Sequence, residues 1–346
     1  MSSVVLQTAF LGDMILTTPL LTRLAERGPV DVVATPASAG LLENHPAVRA
    51  VIVYDKRGAD SGIGGLRRLA ARVRNTGART AYLAQGSLRT ATLAQLAGIG
   101  ERIGFATSPG RVLYTRRVPF RRDLHHAERL WTLASSSPID AVPAGITPSL
   151  FPGEVERAAV RDLLKVHGVA DSQRIIALAP GSVWLTKRWP SYHALAQRLV
   201  ESKAFRETRV VVIGAAADAP LAAAVSDALV TMGAPPAIDA TGKLSLLSSA
   251  ALIARAVVLV TNDSAPLHLA SAMNTPTVAI FGPTVPEFGF GPLAESRRVL
   301  GHVGLTCRPC DAHGPTQCPL GHWRCMRELD AEQVLMAVGE VAKDRA

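Results

Sequence analysis

The chain has 346 residues, about twice the length of an ordinary domain, so two domains are expected. Its composition, 48% hydrophobic and 19% charged, excludes a disordered chain, and no apolar run approaches the length of a membrane span. The formal charge of +9 at pH 7 falls almost wholly in the first 165 residues, and the stretch 49–129 holds 16 Lys and Arg against 5 Asp and Glu.

Met1 leads directly into a strand, with no basic-then-apolar signal sequence, which points to a cytoplasmic protein. The basic half has two readings: solvated helix faces, or a surface for an anionic partner such as an acidic lipid headgroup. Only 5% of residues are aromatic, and there is no helix-turn-helix, zinc-finger or RNP-type pattern, so nucleic acid is not expected as a partner.

Residues 4–10 read as the first strand. The sequence LGDMILTTPLL follows and puts Gly12 and Asp13 in the loop at that strand's carboxyl end, where open α/β sheets bind ligands. Asp13 there is either a helix cap or a general base. Neither G-x-G-x-x-G nor G-x-x-x-x-G-K-[ST] occurs at this turn, which argues against a standard dinucleotide or P-loop site. Strands at 30–35, 50–54, 80–84 and 102–105 alternate with helices at 16–27, 66–75, 88–96 and 125–135. A Pro-, Gly- and Ser-rich passage at 135–153 then approaches a domain boundary.

After a helix at 154–167 a second series begins, with strands at 174–179, 209–214, 257–261 and 277–281 and helices at 192–202, 220–232 and 246–254. Two Rossmann-like halves are expected, 1–165 and 166–327. A tail at 328–346 carries a last helix, 331–342, that can pack on either. In the second half APGSVWLTKRWP follows a strand, so the Ser182 hydroxyl and Lys187 ammonium can converge on a diphosphate. Asp218, after the next strand, can hold ribose hydroxyls, and the loop 242–244 can add a further wall.

The most informative segment is VVLVTNDSAPLHLASAMNTPTVAIFG, a buried strand, a polar helix start and a second buried strand. Asn262, Asp263 and Ser264 favour a helix N-cap. The N-terminus of that helix attracts an anion, while Asp263 offers a carboxylate to hydroxyls and His268 a donor. Beyond it, Cys307, Cys310, Cys318 and Cys325 follow C-x₂-C-x₇-C-x₆-C with His313 and His322 interleaved. Three readings stay open: a structural zinc held by four thiolates, free thiols in a packed loop, or disulfides.

In order along the chain, LGDMILTTPLL, PGSVWLTKRWP, TNDSAPLHLASAMNTPTVAIFGPT and CPLGHWRCM resemble the lipopolysaccharide heptosyltransferases of glycosyltransferase family 9 over nearly the whole length. The last two motifs are most similar to its heptosyltransferase II branch. The resemblance implies a GT-B fold, two Rossmann-like domains facing across a cleft, the first on the acceptor side and the second binding the nucleotide sugar. It implies ADP-heptose as donor, an anionic lipid-linked core oligosaccharide (heptosyl-Kdo2-lipid A) as acceptor, and peripheral association with the cytoplasmic face of the inner membrane.

It further implies Asp13 as catalytic base of an inverting transfer and Ser182 with Lys187 as holders of the donor diphosphate. Asp263 then holds the heptose, Ser264, Ala265 and His268 surround the phosphates, and Leu244 lies against adenine. Val183 stands where relatives have a second hydroxyl, and Ala265-Pro266 replaces a Gly-containing turn. The chain has no D-x-D sequence, which fits a leaving group stabilised by Lys187, Ser182 and the helix start at Ser264, with no cofactor required. Arg67, Arg68, Arg116, Arg117 and Arg121 would meet the acceptor. Two alternatives are a family 9 transferase with another donor or acceptor and a GT-B-like sugar-nucleotide epimerase.

Overall fold

The computed structural model describes residues 2–135 and 141–343; residues 136–140 of the expected boundary passage and 344–346 of the expected tail lie outside them. The chain divides into two compact units, Met1–Phe151 and Pro152–Ala346. The first runs β1 (Ser3–Gln7), α1 (Leu11–Ala25), β2 (Val30–Ala34), α2 (Pro36–Ala39), β3 (Ala50–Val53), α3 (Gly62–Arg74), β4 (Thr80–Leu83), α4 (Leu88–Leu96), β5 (Glu101–Phe105), β6 (Arg116–Val118) and α5 (His126–Thr132). The second runs α6 (Glu154–Val166), β7 (Ile175–Ala179), α7 (Tyr192–Glu201), β8 (Arg209–Val212), α8 (Ala219–Thr231), β9 (Ile238–Asp239), α9 (Leu246–Arg255), β10 (Val258–Asn262), α10 (Ala265–Ala272), β11 (Thr277–Ile280), β12 (Arg297–Leu300), α11 (Arg324–Arg327) and α12 (Ala331–Ala342).

Each unit is built on a six-stranded parallel sheet, ordered β3-β2-β1-β4-β5-β6 in the first and β12-β11-β10-β7-β8-β9 in the second. Counted within its own unit, the second order is again 3-2-1-4-5-6, the Rossmann order, so the fold is the paired α/β architecture of the GT-B class. Helices cover both faces of such a sheet, which is why its central strands are apolar runs rather than alternating ones. β1 (SVVLQ) and β7 (IIALA) are buried throughout. Val5 of β1 lies between Val32 and Tyr82, and Val260 of β10 between Leu178 and Val278. The first core gathers Val4, Leu6, Val33, Leu69 and Leu93; the second gathers Ile176, Leu178, Val212, Ile280 and Val338.

Three strands were not expected: β6, β9 and β12. They are short sheet edges, and β12 is largely exposed and opens on Arg297-Arg298, so none carries the apolar run that marks a strand buried on both sides. The boundary also falls earlier than 165/166, because α6 packs on α9 of the second unit. The last helix joins that unit too, lying on α7 and against β10, β11 and β12.

Helix α1 starts at Leu11 rather than near residue 16, so Asp13 sits in its first turn and not in a loop. Pro19 inside this helix cannot donate to the Ile15 carbonyl, and the buried Thr18 hydroxyl donates there instead at 2.8 Å. The same hydroxyl accepts the Ser149 N–H at 3.0 Å, fastening the end of the unit to its first helix. Thr18→Val keeps the shape and strands both groups, so the unfolding free energy of the first unit should fall by about 1–3 kcal/mol. A urea midpoint equal to that of the parent would show that neither bond contributes.

Candidate active site

In an open α/β sheet the loops at the carboxyl ends of the strands, on either side of the point where strand order reverses, form the ligand crevice. In the first unit that point is between β1 and β4. Asp13 follows β1, and its carboxylate is doubly engaged: Oδ2 accepts the Phe10 N–H at 3.2 Å, and Oδ1 lies 3.1 Å from Nε2 of His126, the first residue of α5. Both side chains are mostly buried, at 16% and 13% exposure. Neighbouring loops close on this one. The Thr8 hydroxyl donates to Gln85 after β4 (3.3 Å), and Lys56 after β3 donates to the Thr8 carbonyl (3.4 Å). Arg89 donates to the Tyr54 hydroxyl and, at 3.4 Å, to the Asp60 carbonyl.

The five arginines expected on the acceptor side do not form one patch. Arg67 and Arg68 are exposed on α3, where Arg68 donates to the Ala59 carbonyl (2.7 Å). Arg116 opens β6, at the opposite end of the sheet from Asp13, and donates to the Ser135 and Leu133 carbonyls at the end of α5. Arg117 donates to the Arg111 carbonyl, and Arg121, which follows β6, forks onto Asp123. Of the five, only Arg121 lies in a loop at a strand's carboxyl end, as the residues around Asp13 do. Lys56 is there as well, and Arg89 lies in the first turn of α4, which follows β4. Their signal was present, since Lys56 comes soon after the apolar strand in VIVYDK and Arg89 opens the helix after the next one in AYLAQGSLR.

In the second unit the reversal lies between β7 and β10, and here the expected residues meet. Lys187 Nζ is 2.6 Å from Asp263 Oδ2, with the two side chains 9% and 10% exposed. The Thr284 hydroxyl, from the loop after β11, donates to the same oxygen at 2.7 Å. Thr284 is a site residue that the sequence reading missed, since the GPT triplet carries no spacing signal. Asn262, completely buried, holds the loops in register. Its Oδ1 accepts the Trp189 N–H (3.1 Å) and the Tyr192 hydroxyl (3.3 Å), and its Nδ2 donates to the Pro180 carbonyl (2.9 Å). Burial pushes the Tyr192 phenol well above its ordinary pKa, so it stays a neutral donor. The Trp189 indole N–H reaches the Leu329 carbonyl (2.9 Å), so this Trp is a core anchor.

Ser182 lies in the same loop after β7 as Lys187. Its hydroxyl accepts the Trp184 N–H (3.3 Å), and its carbonyl accepts from Arg188 (2.9 Å), which also reaches Asp218 (3.6 Å). Asp218 accepts the Ala215 N–H at 3.0 Å and lies against Gly181, where a Cβ would come within 2.3 Å of its carboxylate. Asp218 therefore fixes the β8–α8 loop. Ser264 occupies the N-cap position of α10 without a side-chain capping bond, its hydroxyl donating to the Asn262 carbonyl (3.4 Å); Pro266 supplies no N–H and Leu267 donates to the Ser264 carbonyl, so backbone donation to an anion falls to Ser264 and Ala265. His268 is buried one turn into α10, edge-on to Phe290 with ring centroids 6.3 Å apart, and Leu244 is half-buried ahead of α9.

The cysteine-bearing segment walls this site. Gly314 has φ +86°, and a Cβ there would lie 3.1 Å from Lys187 Cε, so only Gly lets the backbone pass so near the ammonium stem. The Thr186 hydroxyl donates to the Pro315 carbonyl, the Cys310 N–H to the Pro283 carbonyl (2.8 Å), and Arg308 to the carbonyls of Phe281 (2.8 Å) and Thr284 (3.1 Å). All four thiols are free. Among the described residues no three Cys, His, Asp or Glu side chains are arranged to hold a metal. Cys325 belongs to the core while Cys310 is exposed, so the four sulfurs face different surroundings.

Residues 66–323 match the model of glycosyltransferase family 9 (heptosyltransferase). The chain is 28% identical to lipopolysaccharide heptosyltransferase 2 of Escherichia coli K12 over 87% of its length and 88% of that protein's. It is equally 28% identical to lipopolysaccharide heptosyltransferase 1 of Pseudomonas aeruginosa over 97% and 93%. The solved structure of E. coli ADP-heptose lps heptosyltransferase II superposes over the whole of both chains with a TM-score of 0.82 and 25% identity.

Two outcomes follow from this geometry. Lys187→Met strands a buried carboxylate and should cost the second unit about 3–5 kcal/mol, part of which Asp263→Leu should restore in the double variant. Strictly additive losses in denaturant titrations would place the two charges in independent surroundings. Alkylation should also be ordered. Burial pushes the Cys325 thiol up to about 11, whereas at Cys318 burial raises the pKa but is outweighed by backbone N–H donors from Trp323, Leu320, His322 and Gly321, which bring it below the ordinary value. Mass mapping after brief iodoacetamide treatment near neutral pH should find Cys318 labelled well before Cys325; equal labelling would contradict it.

Proposed function

We propose, from the premise that this chain belongs to glycosyltransferase family 9, that it is a lipopolysaccharide heptosyltransferase. The donor is ADP-heptose, the acceptor is the anionic inner core carried on lipid A, heptosyl-Kdo2-lipid A, and the transfer inverts the anomeric centre. The observation that carries this reading is the buried Lys187–Asp263 pair at the strand-order reversal of the second unit, with the Asp13 carboxylate at the equivalent reversal of the first.

The chemistry follows from what each group can offer. Lys187 has three N–H donors and gives one to Asp263, so two can serve diphosphate oxygens. Lys187 and Thr284 both engage Oδ2 of Asp263, so its Oδ1 is the oxygen with lone pairs to offer a sugar hydroxyl. As the bond to ADP breaks, negative charge grows on the phosphates. Lys187, the Ser182 hydroxyl and the start of α10 stabilise it in a site already desolvated. An acceptor hydroxyl is a weak nucleophile near neutral pH, and Asp13 takes its proton as oxygen attacks the anomeric carbon from the face opposite ADP.

Lys56 and Arg121, in loops at strand carboxyl ends, and Arg89, in the first turn of the helix after β4, are the cations of the first unit that would meet acceptor phosphates. Among the described residues no helix is long and apolar enough to cross a membrane. On this reading the protein works on its lipid-linked acceptor as a peripheral protein at the cytoplasmic face of the inner membrane.

Incubation of the purified protein with ADP-heptose and an inner-core acceptor tests the reading. Heptose should pass to the acceptor, with UDP-, GDP- and CMP-sugars inert. Asp13→Asn should lower turnover by about 10² to 10⁴ with donor binding little changed. Transfer from another nucleotide sugar would reassign the donor. Product formed without acceptor would favour an epimerase or hydrolase, and near-normal turnover in Asp13→Asn would remove that residue from the chemistry.

A further inference from the structure

A carboxylate used as a base must present a lone pair in one direction, yet an aspartate side chain turns about two bonds and has four lone pairs to offer. In this protein something holds Asp13 still. Its Oδ2 accepts the Phe10 N–H of its own helix turn at 3.2 Å, and its Oδ1 faces Nε2 of His126 at 3.1 Å from another helix. The ionised carboxylate offers only lone pairs, so the hydrogen of that contact is carried on Nε2 of the imidazole.

The backbone that carries this imidazole is itself braced. His126 is the first residue of α5, and a capping box locks that turn: Glu128 accepts the His125 N–H at 2.8 Å and His125 Nδ1 accepts the Ala127 N–H at 3.2 Å. α5 packs along α1, and the Arg23 guanidinium lies over the Trp131 ring at 3.5 Å, joining the two helices a few turns further on. First turn thus meets first turn, and the contact between Asp13 and His126 is fixed by helix packing rather than by a mobile loop.

We propose that His126 is a positioning residue for Asp13: its Nε2–H holds Oδ1 and so fixes the direction in which the carboxylate is presented to the acceptor hydroxyl. This rests on the reading of Asp13 as the base. His126 acts through Asp13 and does not touch the reacting atoms. Its loss should therefore be felt in turnover, since a misplacement of the order of an ångström in a reacting group can cost about 10²-fold, and not in binding of the donor.

The test uses the full-length enzyme in steady state with saturating donor. His126→Phe, which keeps bulk and removes the donor, should lower kcat by about 10- to 100-fold while the KM for the nucleotide sugar stays within about twofold. His126→Gln, whose amide can reach Oδ1, should recover most of that loss. A merely structural role would not be rescued by Gln, and thermal melts of both variants separate misfolding from mispositioning.

Placing His126→Phe on an Asp13→Asn background should produce no further fall, because the second residue works only through the first. Full activity in His126→Phe, a loss that Gln does not recover, or multiplicative losses in the double variant would each overturn the proposal. If Asp13→Asn alone is nearly as active as the parent, it is the assignment of the base that fails, whatever His126 does.

Discussion

Strand order is the constraint on which everything else here depends. Each sheet begins with a central strand, adds two on one side, then returns across that strand to build the other side. Because parallel crossovers are as a rule right-handed and connections run over the surface, the loops leaving the first and fourth strands of such a unit diverge and open a crevice at their carboxyl ends. Asp13 follows one such strand, and Lys187 and Asp263 follow the equivalent pair in the other unit. These candidate site residues sit where the topology leaves room for a ligand.

That room is apolar underneath, so each charged group placed there needs a partner. Burying an ammonium and a carboxylate costs several kcal/mol per ion unless the pair is close and its other polar contacts are met. Lys187, Asp263 and Thr284 satisfy the condition with two contacts of 2.7 Å or less on one carboxylate oxygen. Asn262 does for the backbone what this pair does for the charges, taking up an N–H, a hydroxyl and a carbonyl from β7's loop and α7. The network is therefore stable only as a whole. Breaking one member leaves the rest buried and unmet.

The segment from Cys307 to Cys325 belongs to the same problem. A wall passing close to Lys187 must present backbone, and Gly314 with its left-handed φ allows that approach. Arg308 takes up four carbonyls at the end of β11 and beyond, including that of Thr284, and so steadies the residue that aims Asp263. The cysteines ride on a segment whose demonstrable work is packing.

Apolar runs alternating with amphipathic helices made the two parallel α/β halves legible in the amino-acid sequence. So did the positions of Asp13, Ser182, Lys187 and Asp263 just after strands, because both patterns are local consequences of burial and of chain direction. The short edge strands β6, β9 and β12 left no such pattern, since an edge is half solvated and two to four residues set no period. Contacts distant in sequence were equally silent: His126 on Asp13, Thr284 on Asp263, and the diversion of Arg116 to the end of α5. A side chain's type declares what it can bind, but its partner is chosen by which helices and loops the fold brings beside it. Tertiary packing alone turned a run of basic residues into separate structural contacts, and two carboxylates after strands into a carboxylate held against His126 and a buried ion pair.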